Sequence, residues 1–113
     1  MMSLLPVIQQ DDFAFTTVPT QEIALNKTGT LTLTWLRDEV EFVGGDISFT
    51  SSRGTITSAD NATDTNGQAS FIIASDNAGF ASISATGTDG EGILVSARAE
   101  VEFVATVANN IIV

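Results

Sequence analysis

The 113-residue chain has no cysteine, no histidine and no tyrosine. The first absence removes disulfides and thiolate chemistry, and the second removes imidazole general bases. Together they remove the ligands that soft metals prefer. Absence of cysteine does not fix the compartment, because a small extracellular domain with a sufficient core needs no disulfide. Positive charge is also scarce: four Lys and Arg stand against fourteen Asp and Glu, for a formal charge of −10. Nucleic-acid binding relies on clustered cations, so DNA and RNA are excluded as expected partners, and anionic membrane surfaces are disfavoured for the same reason. No apolar run reaches the roughly 18 residues that span a bilayer, so no membrane insertion by this segment is expected. Met1-Met2-Ser3-Leu4-Leu5-Pro6 has neither a basic n-region nor a long apolar h-region, and no signal peptide is read there.

Apolar residues make up 43% of the chain and are spread along it, enough for one packed core. Their spacing is that of strands. Leu31, Leu33 and Trp35 alternate with Thr32 and Thr34, Ile47 and Phe49 alternate with Asp46, Ser48 and Thr50, and Val95 to Phe103 alternate with Ser96, Arg98, Glu100 and Glu102. The stretch from Ala62 to Gly87 is the most strongly patterned. Asp64-Thr65-Asn66-Gly67 is a tight-turn signal of the type I′ kind. Behind it, Ala69, Phe71 and Ile73 share one side of a pleat, and after Ser75–Gly79 so do Ala81, Ile83 and Ala85. These two runs are expected to form an antiparallel hairpin at the centre of a sandwich. The expected core is Trp35, Phe49, Phe71, Ile73, Ile83, Val101 and Phe103. Arg37 to Glu41 reads as a charged loop, and no helical periodicity of useful length occurs. The fold expected is an all-β, immunoglobulin-like sandwich of about seven antiparallel strands. Residues 1–17 read as a linker or first edge strand, 18–105 as the domain, and 106–113 as the lead-in to a following module.

The ordered set Thr63-Asp64-Thr65-Asn66-Gly67-Gln68-Ala69, an alternating strand, and Ala78-Gly79 followed by Ala81-Ser82-Ile83-Ser84-Ala85 resembles bacterial immunoglobulin-like domains of group one, the intimin/invasin kind. Upstream, Gly45-Asp46-Ile47-Ser48-Phe49-Thr50 and Gly54-Thr55-Ile56 resemble the family's "G-V-x-V-x-F" strand and its "G-x-L" continuation. The likeness runs from about Val18 to Val104. It departs at Arg37–Val43, which lacks the Gly, Asn and Pro usual in that loop. The resemblance implies a non-catalytic module of a tandem-repeat bacterial surface protein, extracellular as part of a longer exported chain, serving as spacer or adhesive stalk. Its implied partners are neighbouring immunoglobulin-like modules and a host or cell-surface protein. The alternative is a protein- or carbohydrate-binding accessory domain of a secreted enzyme or phage structural protein.

Candidate chemistry is sparse. Asp60-Asn61, Asp64, Asn66 and Asp76-Asn77 supply oxygen atoms of the kind that bind Ca²⁺, and are expected near one end of the sandwich. Asp60, Asp64 and Asn66 are the metal candidates, ranked below their reading as turn residues; neither metal nor cofactor is expected. The acid pairs Asp38/Glu39 and Glu100/Glu102 can be drawn as hydrolytic pairs, but Glu100 and Glu102 fall on the wet side of a strand and read as ordinary solvated charges. No serine has an activating partner in a recognisable motif, so no catalytic residue is named. Ile72 and Phe80 fall on the nominally outer register and Phe42-Val43 sit in a loop; Phe42, Ile72 and Phe80 form a candidate contact patch if they cluster.

Overall fold

The computed structural model describes residues 10–105; the expected lead-in at 106–113 lies outside the described residues. Among the described residues nine strands follow one another without a helix: β1 (Asp11–Thr17), β2 (Ile23–Ala24), β3 (Gly29–Arg37), β4 (Val40–Glu41), β5 (Asp46–Ser51), β6 (Thr55–Thr57), β7 (Gln68–Ala74), β8 (Gly79–Thr88) and β9 (Leu94–Val104). Two sheets form. The first has the order β1-β3-β7-β6, with β4 also paired to β3; the second has the order β2-β9-β8-β5. Residues 11–17 thus form a sheet edge, and Phe13 and Phe15 pack against the core from it. All pairings are antiparallel except β2 with β9, where Ile23 lies beside Phe103 and Ala24 beside Val104 in parallel.

Alternation in the sequence becomes alternation in burial. Leu31, Leu33, Trp35, Phe71 and Ile73 face inward from the first sheet, and Ala81, Ile83, Ala85, Val101 and Phe103 from the second. Each large side chain taken fully from water stabilises the fold by about 1.5–3 kcal/mol before entropy is counted. The core has two lobes. One is built on Phe71 with Phe49 at 4.5 Å between ring centroids; the other is built on Trp35, with Phe13 edge-on at 5.2 Å and Phe42 at 4.4 Å. Small residues make room for the second lobe: a Cβ on Gly45 would sit 2.4 Å from the Trp35 ring, and one on Gly87 2.8 Å from both Trp35 and Phe13.

Three expectations are corrected. The runs at 68–74 and 81–86 are not a hairpin, because β7 pairs with β3 and β6 while β8 pairs with β5 and β9. The loop between them crosses from one sheet to the other, held by the buried Ser75, whose Oγ accepts from Asn77 N–H and donates to Asn77 O. A period-2 pattern reports which face is apolar but not which strand lies alongside. The turn at Asp64–Gly67 is not type I′: only Gly67 has positive φ (72°), and Asp64 O accepts from Gly67 N–H across a turn whose central residues, Thr65 and Asn66, keep negative φ. The two consecutive positive φ values of a type I′ turn occur instead at Asp38 (54°) and Glu39 (69°), so the expected charged loop is a two-residue hairpin joining β3 to β4.

Candidate functional site

The strand directions define two poles. Chain entry at Asp11, the end of β3 at Arg37, the β3–β4 turn and the β8–β9 turn lie at one pole. The start of β3 at Gly29, the β7–β8 crossover and the end of β9 lie at the other. The described residues therefore enter and leave the sandwich at opposite ends.

Arg37 organises the entry pole. Its Nε lies 2.9 Å from Asp11 Oδ1 and its Nη2 3.1 Å from Asp89 Oδ2, so a residue of the first sheet grips the β8–β9 turn of the second. The guanidinium also lies over the Phe42 ring, 4.2 Å from its centroid. Trp35 Nε1–H donates to Asp11 Oδ1 at 3.2 Å, which satisfies the one polar atom of the buried indole. Asp89 is held in turn by the N–H groups of Glu91 and Ile93, at 2.7 and 3.1 Å. Its carboxyl is kept below the ordinary aspartate range first by the Glu91 N–H, with further help from the Ile93 N–H and Arg37, against burial that pushes it up. The Arg37 pKa is raised, chiefly by Asp11. All of these groups are engaged with one another, so the cluster acts as a clasp between sheets.

The carboxylates of Asp64 and Asp60 both accept backbone N–H groups. Asp64 Oδ1 accepts from Asn66 and Gln68 N–H at 2.8 and 2.9 Å, bracing its own turn. Asp60 Oδ2 accepts from Ser70 N–H at 2.9 Å, part way along β7. Asp76 and Asn77 follow β7 and Asp64 precedes it, so seven residues of strand, about 20 Å, separate them. The expectation that these oxygens gather at one end is therefore not met. Among the described residues no group of three or more His, Cys, Asp or Glu is placed to hold a metal ion. The pair Glu100 and Glu102 alternates outward along β9, and Asp38 and Glu39 sit exposed in their hairpin turn.

Nor does the structure bring the three patch candidates together. Phe42 is half-buried beneath Arg37 and packed on Trp35, as part of the core's end. Ile72 points outward from the first sheet and Phe80, 58% exposed, outward from the second. The exposed apolar residues that do share a region are Val40, Val43, Ile93 and Leu94, all at the entry pole. Thr63 also escaped the sequence reading. It is buried; its Oγ accepts from Gly45 N–H at 2.9 Å and donates to Phe42 O at 2.6 Å, and its N–H and C=O pair with Gly45 O and Gly44 N–H. The only sequence signal for it was its place ahead of the Asp64 turn. At the exit pole an open depression of about 490 Å³ is lined by residues 19–24 and 27–30, without an aromatic side chain.

This arrangement defines an immunoglobulin-like β-sandwich, with no helix among the described residues long and apolar enough to cross a membrane. The fold is that of intimin-type domains. It is similar to the D00–D0 domains of intimin at a TM-score of 0.62, with 20% identity over 90% of this chain and 50% of that one. A C-terminal 282-residue fragment of intimin, solved with the intimin-binding domain of the translocated intimin receptor, is similar at a TM-score of 0.60, with 24% identity over 79% of this chain and 32% of that one. The adhesin InvE of Yersinia pseudotuberculosis is similar at a TM-score of 0.60, with 20% identity over 84% of this chain and 26% of that one. The chain thus spans from about a quarter to half of the lengths of these structures. No family model and no curated protein sequence matches it.

Proposed function

We propose that this chain is a non-catalytic module of a bacterial surface adhesin, set in a longer exported protein as a spacer or adhesive stalk. The observation that carries the reading is the placement of chain entry and exit at opposite poles of a fold shared with intimin domains. A module threaded end to end adds its full length to a fibre, whereas one with adjacent termini hangs beside it. The neighbours on either side are then further immunoglobulin-like modules. Any receptor-binding role falls to surfaces away from the clasp, since Asp11, Arg37 and Asp89 are committed to holding the two sheets.

The reading predicts display outside the cell. Antibody raised against residues 10–105 should label intact cells of the source bacterium, and protease added to those cells should remove the label. Labelling seen only after permeabilisation would overturn it.

A further inference from the structure

Tension drawn along the described residues enters at Gln10 and leaves at Ala105, and the strands that receive it are β1 and β9. Both run from the entry pole to the exit pole, so the two pulls are opposed and lie along the strand axes. Hydrogen bonds of an antiparallel ladder stand perpendicular to its strands, and a pull along the axis loads them together rather than one at a time. The two ladders are unequal. β9 is registered on β8 without a break, from Gly79 opposite Phe103 to Thr88 opposite Leu94, and has β2 on its other side. β1 is an edge strand paired with β3 alone, and its register slips between Phe15 and Thr17. On its ladder alone, β1 is the strand that should part first.

A second connection reinforces it at the end where tension enters. Gln10 N–H donates to Asp38 Oδ1 at 3.0 Å and Gln10 O accepts from Asp38 N–H at 2.8 Å. One residue on, Asp11 Oδ1 lies 2.9 Å from Arg37 Nε, and Arg37 Nη2 lies 3.1 Å from Asp89 Oδ2. Asp89 Oδ1 accepts from the N–H groups of Glu91 and Ile93, directly before β9 begins at Leu94. A line of charge-assisted contacts therefore joins the first residue of β1 to the residue before β9. From there the covalent backbone of β9 carries a load to the exit pole. The line crosses between the sheets without passing through the core. The side chains of Arg37, Asp11 and Asp89 keep only 19%, 11% and 4% of their exposure, so salt screens these pairs less than it would surface pairs.

We propose that Arg37 is a force-bearing latch, which passes tension from the strand by which the chain enters the sandwich to the strand by which it leaves, and so spares the β1–β3 ladder. The inference rests on the stalk reading, in which load reaches the module through its two chain ends.

The absence of native cysteine leaves the choice of pulling points open. In the 113-residue chain, Gln10→Cys with Ala105→Cys gives exposed handles that load the latch, and Gln10 meets Asp38 through its backbone, which the substitution spares. Asn26→Cys with Ala105→Cys gives two exposed handles at the exit pole, and this pull bypasses the latch. Asp89→Asn removes the ion pair and leaves an oxygen for the Glu91 and Ile93 N–H groups. Forced unfolding is governed by the unfolding rate, so the lifetime at constant force is the quantity to measure. Asp89→Asn should shorten it several-fold with the first pair of handles and leave it unchanged with the second, where the exit pole parts first. Shortening as large with the second pair would overturn the proposal, because Asp89 would then act through overall stability. So would an unchanged lifetime with the first pair, because the latch would carry no load. Both measurements use purified protein, so a failed latch leaves the surface reading standing, and the antibody labelling decides that reading separately.

Discussion

Gly67 concentrates two separable demands in one residue. Its φ of 72° lies in the left-handed region, where an L side chain costs roughly 1–2 kcal/mol. It also faces backbone: a Cβ would stand 2.7 Å from Trp35 O and 3.2 Å from Glu41 Cβ. Neither neighbour is a free side-chain end. Trp35 O accepts from Phe42 N–H at 3.0 Å, a bond that continues the β3–β4 pairing one residue past Glu41, so displacing it forfeits a further ~0.5–1.5 kcal/mol. Gly67→Ala is therefore expected to cost about 2–3 kcal/mol. Gly90 supplies the control, having φ of 80° with nothing within 4 Å of its Cβ position. Gly90→Ala should show the conformational part alone, and less of it if the turn relaxes. Urea unfolding followed by the fluorescence of buried Trp35 reads both, and in a domain of this size each kcal/mol shifts the thermal midpoint by roughly 4–8 °C. If Gly67→Ala proves no more damaging than Gly90→Ala, the close approach to the Trp35 carbonyl plays no part and the reasoning fails.

Thr63→Val keeps the shape of the side chain but strands Gly45 N–H and Phe42 O in a buried site, so a loss of about 1–3 kcal/mol is expected by the same unfolding assay; a neutral result would mean water replaces the hydroxyl. The folded-state pKa of Asp89 is depressed, so its contribution is complete above the ordinary aspartate value of about 4 and is lost as pH falls through the folded value. Asp89→Asn should then lose stability at neutral pH and show a flatter decline on acidification, and identical acid profiles for the two proteins would contradict the clasp. Asp64→Ala removes two backbone hydrogen bonds and should cost roughly 1–2 kcal/mol. The wild-type melting temperature should be the same in calcium as in chelator; a rise with calcium that Asp64→Ala abolishes would make Asp60, Asp64 and Asn66 site residues.

What faces inward was legible because one sheet face meets water and the other the core. That difference writes itself into every second residue, as in Leu31, Leu33 and Trp35 or Ala81, Ile83 and Ala85. Pairing was not legible, because hydrogen-bonded neighbours leave no comparable mark. The two-residue strand β2 lies parallel to β9 across about eighty positions of sequence, and Ile23 alone cannot announce that partner. Turn residues misled in one respect. Asn66 and Gly67 tolerate positive φ and so pointed to a type I′ turn, yet the turn with two positive φ values uses Asp38 and Glu39. There the geometry is imposed by tertiary bonds: Asp38 exchanges hydrogen bonds with Gln10 through both its N–H and its carboxylate.

The fate of the expected contact patch follows from that same loss of pairing information. Were β7 and β8 a hairpin, Ile72 and Phe80 would lie on the outer face of one sheet, close enough to share a ligand. Because the chain crosses between sheets at Ser75–Ala78, the outward residues of β7 and β8 lie on opposite surfaces of the molecule. One misplaced strand neighbour therefore converts two isolated apolar residues into an apparent site. The converse error hid the Arg37 clasp. Asp11 and Asp89 are 26 and 52 residues from Arg37, and each reads in sequence as an ordinary strand-start or turn acid. They become partners only when β1, β3 and the β8–β9 turn end at the same pole, and the same convergence places Val40 and Val43 near Ile93 and Leu94. Both clusters at the entry pole are thus set by which strands end together.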